Sequence, residues 1–239
     1  MQQFKILISG DYACFTRPEH KMERVSYDVP TPGALEGLLK SIYWKPAMRY
    51  VIDKVVVINP IKFTNIRRNE VKDKVSLAKM KNAMNGGSSD PTIYTKESIT
   101  QRNSMILKDV KYAIEFHIEV TGIRCDKAGE GVGKHEDILS RRLKNGQFFS
   151  KPCLGCREFP VKKIELIDSL DTLFVSREVL GDVDLGMMIY RMQFNDGGIP
   201  VNNNWENPVF SNKATATYYH PHMINGLIDV DLYRRKCLW

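Results

Sequence analysis

The sequence predicts an α+β fold in two unequal parts. Three observations carry that prediction. Residues 109–121, DVKYAIEFHIEVT, alternate apolar and polar positions through Val110, Tyr112, Ile114, Phe116, Ile118 and Val120, the pattern of a half-buried strand. Leu35, Leu38, Leu39 and Ile42 recur at helical spacing behind a capping Thr31 and a Pro32 at the first helical position. Beyond residue 181 the chain breaks into short β segments, MMIYRMQF, PVFSNKATATYYHPHMING and GLIDVDLYRR, separated by Gly, Pro and Asn.

Taken in order, residues 3–9, QFKILIS, form a first strand, and GDY turns the chain. The helix that opens at Thr31 is stopped by Lys45-Pro46. Residues 51–58, VIDKVVVI, form a second strand closed by Pro60. Residues 64–104 are dense in basic residues and contain NGGSSDP, which predicts an excursion from the core, partly mobile. The alternating strand at 109–121 leaves His117 on its polar side, at the surface. A helix over 136–145 turns Ile138, Leu139 and Leu143 inward and Arg141, Arg142 and Lys144 outward, and Gly146 stops it. Residues 161–167 and 172–180 read as further strands. The order β, α, β, excursion, β, α up to residue 147 predicts a ferredoxin-like domain over 1–147. Residues 148–239 follow as a smaller β-rich region.

The chain has 239 residues, enough for a real core, and a net charge of +7. Excess base favours a polyanionic partner, nucleic acid or an anionic membrane. No apolar run approaches the roughly 20 residues of a spanning helix, and MQQFKILISG lacks the form of a signal peptide. Five cysteines without regular spacing do not make a secreted disulfide framework. A cytoplasmic protein is expected.

Among candidate sites, GEGVGKHEDILSRRLKNG at 129–146 stands out. It is not a nucleotide-binding P-loop: Ala128 stands where the first glycine belongs, and His135 where the magnesium-binding hydroxyl belongs. Its parts suit another chemistry. Gly131 and Gly133 let backbone approach a ligand, and the helix start offers N–H groups to a phosphate. Lys134 adds a fixed positive charge, and His135 exchanges a proton near neutral pH. Cleavage of RNA through its 2′-hydroxyl needs a base, an acid and a cation beside the phosphorane-like transition state, and no metal. The same residues also suit a solvated turn. CLGC at 153–156 lacks a second ligand pair for zinc and reads as buried or incidental thiols. HPH at 220–222 has the residues to bind a metal but fits an exposed loop better, and Asp168, Asp171, Asp182 and Asp184 are too dispersed for a two-metal cluster. No cofactor or metal is expected.

Residues 10–46, GDYACFTRPEHKMERVSYDVPTPGALEGLLKSIYWKP, resemble the N-terminal signature of the Cas-five family of CRISPR systems, in its type I-C (Dvulg) form. FSKPCLGCREFP at 149–160 resembles that family's central motif, and GKH lies where the family's does. The resemblance is dense over 10–46 and 129–160 and thin over 64–104 and the last third. It implies a ferredoxin-like (RRM-like, RAMP-type) N-terminal domain and a smaller β-rich C-terminal part. It also implies a metal-independent endoribonuclease that cuts CRISPR precursor RNA within each repeat, leaving 2′,3′-cyclic phosphate and 5′-hydroxyl ends. Such a protein then holds the 5′ handle of the mature guide RNA in the Cascade complex, with the Cas-seven backbone, the Cas-eight large subunit and target DNA as partners and no membrane. The family's trio falls on Tyr43, in SIYWKP, and on Lys134 and His135. Arg17, Lys21, Arg24, Lys45, Arg67, Arg68, Gly131, Gly133 and Arg157 are the expected RNA contacts. The competing reading is a scaffold that caps the guide RNA without cutting it. Burial of any of the trio, or wide separation, would favour the scaffold.

Overall fold

A computed structural model describes residues 2–20, 22–123 and 131–234. In chain order its elements are β1 (Phe4–Ala13), α1 (Pro32–Ile42), β2 (Met48–Val57), β3 (Lys62–Val71), α2 (Leu77–Met84), β4 (Ile99–Val120), α3 (Val132–Lys144) and β5 (Lys163–Leu166). The remainder are β6 (Asp182–Asp184), β7 (Met188–Phe194), β8 (Ala214–Tyr219), β9 (His222–Ile224), β10 (Leu227–Asp229) and α4 (Val230–Arg234). The protein is a mixed α/β structure dominated by antiparallel sheet. The main sheet runs β5-β1-β4-β2-β10-β9-β6, with β3 on the free half of β4, and β7–β8 form a separate ribbon.

The capping of α1 follows the sequence: the Thr31 hydroxyl accepts the Ala34 N–H at 3.3 Å. Leu35, Leu38, Leu39 and Ile42 are buried, each worth about 1.5–3 kcal/mol as burial of an aliphatic side chain. They pack on the sheet face formed by Ile6, Ile8, Ile114, Phe116 and Ile118, and Leu139 of α3 joins the same core. Three carbonyls at the end of α1 are met by distant donors. Phe149 and Ser150 N–H donate to the Ser41 carbonyl at 2.9 and 3.0 Å, Arg142 to the Ile42 carbonyl at 2.6 Å and the Tyr50 hydroxyl to the Tyr43 carbonyl at 2.6 Å. A helix end otherwise leaves these carbonyls to water.

Several expectations change. The 64–104 excursion is largely regular: β3 pairs with β4 over ten residues, from Lys62 opposite Lys108 to Val71 opposite Ile99. Strand β4 therefore starts at Ile99, ten residues before the expected strand, and positive φ at Asp109 marks where the arm meets the main sheet. Residues 172–180 form turns and one 3₁₀ turn at Arg177–Val179 in place of a strand. Their apolar side chains have another task. Leu170, Leu173 and Val175 cover the second face of the sheet over Val56, Ile58 and Ala113, so tertiary packing overrides β propensity. His117 is not a free surface residue: its Nδ1 lies 2.7 Å from Asp53 Oδ2. Arg234 of α4 reaches the other oxygen of that carboxylate at 3.3 Å. The C-terminal region shares the sheet and core with the rest, through β10 on β2 and β5 on β1.

The two most recognisable sequence blocks interlock. The Cys14 N–H donates to the Leu154 carbonyl at 3.0 Å, and Leu154 N–H to Phe159 O at 2.8 Å. Leu154 is fully buried. Gly155 holds φ +85°, and a Cβ there would lie 2.0 Å from the Cys14 carbonyl oxygen. Only glycine fits, so CLGC is a packing motif.

Candidate active site

Tyr43 and His135 meet between α1 and α3. Tyr43 is the first residue past α1, in extended conformation (φ −153°, ψ 134°). That turns its ring off the helix axis and toward α3. Its Oη lies 2.9 Å from His135 Nδ1. The pair is enclosed, with Tyr43 at 5% and His135 at 2% exposure. Ninety-two residues apart in sequence, they lie within direct hydrogen-bond reach of each other. Both are also buried, the property named above as favouring a scaffold.

Helix α3 begins at Val132, four residues before the expected start, with Gly131 as its N-cap. GKH is therefore its first turn and not a loop. About 100° of rotation between successive residues sends His135 into the interior and leaves Lys134 exposed. A Cβ added at Gly131 or Gly133 would meet nothing within 4 Å, and neither has positive φ. Packing does not require these glycines, in contrast to Gly155.

Two residues escaped the sequence reading. Arg142, assigned outward, points inward. It caps the Ile42 carbonyl and places its guanidinium carbon 5.3 Å from the centroid of the Tyr43 ring. Tyr50 holds the Tyr43 carbonyl, and burial pushes its phenol well above the usual tyrosine range, so it stays a neutral donor. A signal for Arg142 existed: His135, Leu139 and Arg142 fall at i, i+4 and i+7, one face of a helix. A helix started at residue 136 hides it.

The predicted RNA contacts divide into two groups. Arg17 pairs with Asp28 at 3.0 Å and lies over the Tyr27 ring at 4.6 Å. Arg24 pairs with Glu158 at 3.2 Å and Glu70 at 3.9 Å. Arg68 pairs with Glu158 at 2.6 Å and Glu70 at 3.7 Å, and Arg102 adds 3.3 Å to Glu70. These cations tie the arm to the 14–28 and 153–160 segments. Lys45, Arg67 and Arg157 are exposed and form no ion pair with a described residue. Trp44, beside Lys45, is 49% exposed. Lys21 lies outside the described residues. Cys156 sits within the paired network, its Sγ 3.5 Å from Arg24 Nη1. Hydrogen bonding with Cys14 chiefly lowers its thiol pKa to about 6, with Arg24 adding to the effect.

No helix among the described residues is long and apolar enough to cross a membrane. The family model described as CRISPR-associated protein (Cas5), in its Cas5d form, matches residues 4–231. A CRISPR pre-crRNA endoribonuclease Cas5d of Mannheimia succiniciproducens is 41% identical over 233 residues, covering 95% of this chain and 94% of that protein. A protein of the same name from Thermus thermophilus is 37% identical over 160 residues, 67% of this chain and 62% of that one. A crystal structure of a CRISPR-associated protein superposes with a TM-score of 0.61 at 24% identity, covering 95% of this chain and 91% of that one, a likeness of fold. The chain belongs to the Cas5 family of CRISPR-associated proteins, in the Cas5d branch.

Proposed function

We propose that this chain is a metal-independent endoribonuclease that cuts CRISPR precursor RNA within its repeats. It then stays on the 5′ handle of the guide RNA in a type I-C Cascade complex, beside the Cas-seven and Cas-eight subunits and target DNA. The observation that carries the reading is the 2.9 Å contact between Tyr43 Oη and His135 Nδ1, in a chain 41% identical to a protein named as that endoribonuclease. In this reading His135 and Tyr43 jointly remove the 2′-hydroxyl proton and protonate the leaving 5′-oxygen. Lys134 offsets charge on the phosphorane-like transition state. Arg142 is a positioning residue: it holds Tyr43 and adds positive charge over its ring. Lys45, Arg67 and Arg157 contact the RNA backbone, and Gly131 and Gly133 admit a phosphate to the start of α3. The ferredoxin-like reading is supported by the strand order β5-β1-β4-β2 with α1 and α3 on one face. Its outer strand β5, Lys163–Leu166, comes from beyond residue 147, so the fourth strand of that unit is supplied by the 148–239 region, whose remainder forms the appended β-rich part.

The burial of Tyr43 and His135 favours a second reading, a scaffold that holds the guide RNA without cutting it. One experiment separates them. A labelled repeat stem-loop is incubated in EDTA, alongside a copy with a 2′-deoxy nucleotide at the cleavage site. The nuclease reading expects one cut in the first, a 2′,3′-cyclic phosphate end, and none in the second. Tight binding without cutting of either establishes the scaffold. Cutting of both overturns attack by the 2′-hydroxyl.

A further inference from the structure

The far end of the main sheet gathers a different set of side chains. In the antiparallel ladder of β6 and β9, Asp184 lies directly opposite His222. Side chains two apart on a strand share a face. Asp182 and Asp184 therefore stand on the same side as His220 and His222, while Pro221 between the histidines is buried. The sequence reading treated HPH as an exposed loop. His220 is exposed and lies with Pro221 in the connection between β8 and β9, while His222 opens β9. The Leu185 N–H donates to the Pro221 carbonyl at 3.1 Å, and the His222 N–H donates to Tyr233 Oη at 2.9 Å.

We propose that Asp184, His220 and His222 bind one divalent transition-metal cation of the zinc class. One ligand atom from each lies within 4.8 Å of the others. Zinc–nitrogen and zinc–oxygen bonds of about 2.0–2.2 Å place tetrahedral ligands roughly 3.4 Å apart, a short side-chain adjustment from this arrangement. Two imidazoles and one carboxylate suit zinc, nickel or copper better than magnesium, which prefers an all-oxygen shell. A second observation points the same way. His222 Nδ1 lies 2.8 Å from Asp182 Oδ1, so the carboxylate orients the ring and leaves Nε2 as the ligating atom. This carboxylate–histidine pairing is the usual support of a metal-bound imidazole. The two imidazole rings already stack, with centroids 5.8 Å apart. Three protein ligands leave one position for water. The cation would join β6, an outer strand of only three residues, to β9 by side chains as well as by backbone.

The test uses the untagged full chain, since a polyhistidine tag competes for the metal. Zinc chloride is titrated calorimetrically, with magnesium chloride as control. Because cysteines can also bind zinc, the reading is the difference between the parent and three variants: His220→Ala with His222→Ala, Asp184→Asn, and Asp182→Asn. The parent should bind one more zinc than the double variant, and zinc should raise its melting temperature but not the variant's. Asp184→Asn and, separately, Asp182→Asn should weaken that site by about tenfold or more. Equal zinc stoichiometry in parent and double variant, with circular dichroism showing both folded, overturns the proposal. So does zinc binding unchanged by Asp184→Asn. Misfolding of the double variant leaves the two aspartate variants as the deciding measurement.

Discussion

The Tyr43–His135–Arg142 cluster and the ion-pair network at the base of the β3–β4 arm both draw on basic and polar residues, and they use them in opposite ways. In the first, one guanidinium lies over one aromatic ring beside a histidine, and no carboxylate pairs with it among the described residues. In the second, Arg24, Arg68 and Arg102 share Glu70 and Glu158. A net charge of +7 therefore overstates the cation available to RNA at any one place. Charge that is already paired positions segments of the chain. Charge that forms no ion pair among the described residues, as on Lys45, Arg67 and Arg157, is where the proposed function places phosphate contacts.

The largest effect that sharpens this contrast is on chemistry. His135→Ala should lower single-turnover RNA cleavage by about 10²–10⁴-fold, the usual contribution of a proton-transfer group. RNA affinity by filter binding should hold. An equal loss of affinity would move His135 from chemistry to binding. Next is a glycine pair. Gly155→Ala should cost about 3 kcal/mol or more in denaturant unfolding, because it strains a positive φ and collides with the Cys14 carbonyl. Gly131→Ala should leave stability within about 0.5 kcal/mol and lower cleavage instead. Arg142→Ala should cost about 1–3 kcal/mol through the exposed Ile42 carbonyl and slow cleavage about tenfold. Arg142→Lys should recover part of the rate by restoring charge.

Smaller effects divide the arm. Arg67→Ala should weaken RNA binding for all sequences and reduce the slope of log affinity against log salt by about 1. Arg68→Ala, whose charge is spent on Glu158, should leave that slope unchanged and lower the melting temperature. Smallest is a reactivity difference. Hydrogen bonding with Cys14 chiefly, and Arg24 beside it, hold the Cys156 thiol below the ordinary cysteine range, so iodoacetamide should modify Cys156 at lower pH than a free cysteine. The bond with Cys156 and burial push the Cys14 thiol upward, so it should stay inert. Arg24→Ala should move the Cys156 midpoint toward the ordinary value of 9.0.

The helix α1, its Thr31 cap and the alternation of β4 were legible because each rests on local periodicity. Tyr43, Lys134 and His135 were nominated by family resemblance, and the last two also by proton and charge chemistry. Their arrangement was not. The 2.9 Å contact spans two helices, and no local pattern encodes a distance between elements. Arg142 was misplaced by a four-residue error at the start of α3, where the glycines argued for a loop and the structure continues the helix. The 172–180 segment has the composition of a strand and serves as a cover, because both faces of the sheet need burying. The expected excursion at 64–104 carried strand residues that its charge obscured.

The most direct test is a double-mutant cycle on cleavage. Single-turnover rates in EDTA would be measured for the parent, Tyr43→Phe, His135→Ala and the double variant, with RNA in excess of its dissociation constant. If the two side chains work as one proton-transferring unit, the double variant should be no slower than the worse single variant. Rate losses that multiply, or a parent chain that binds the repeat and never cuts it, would contradict that account.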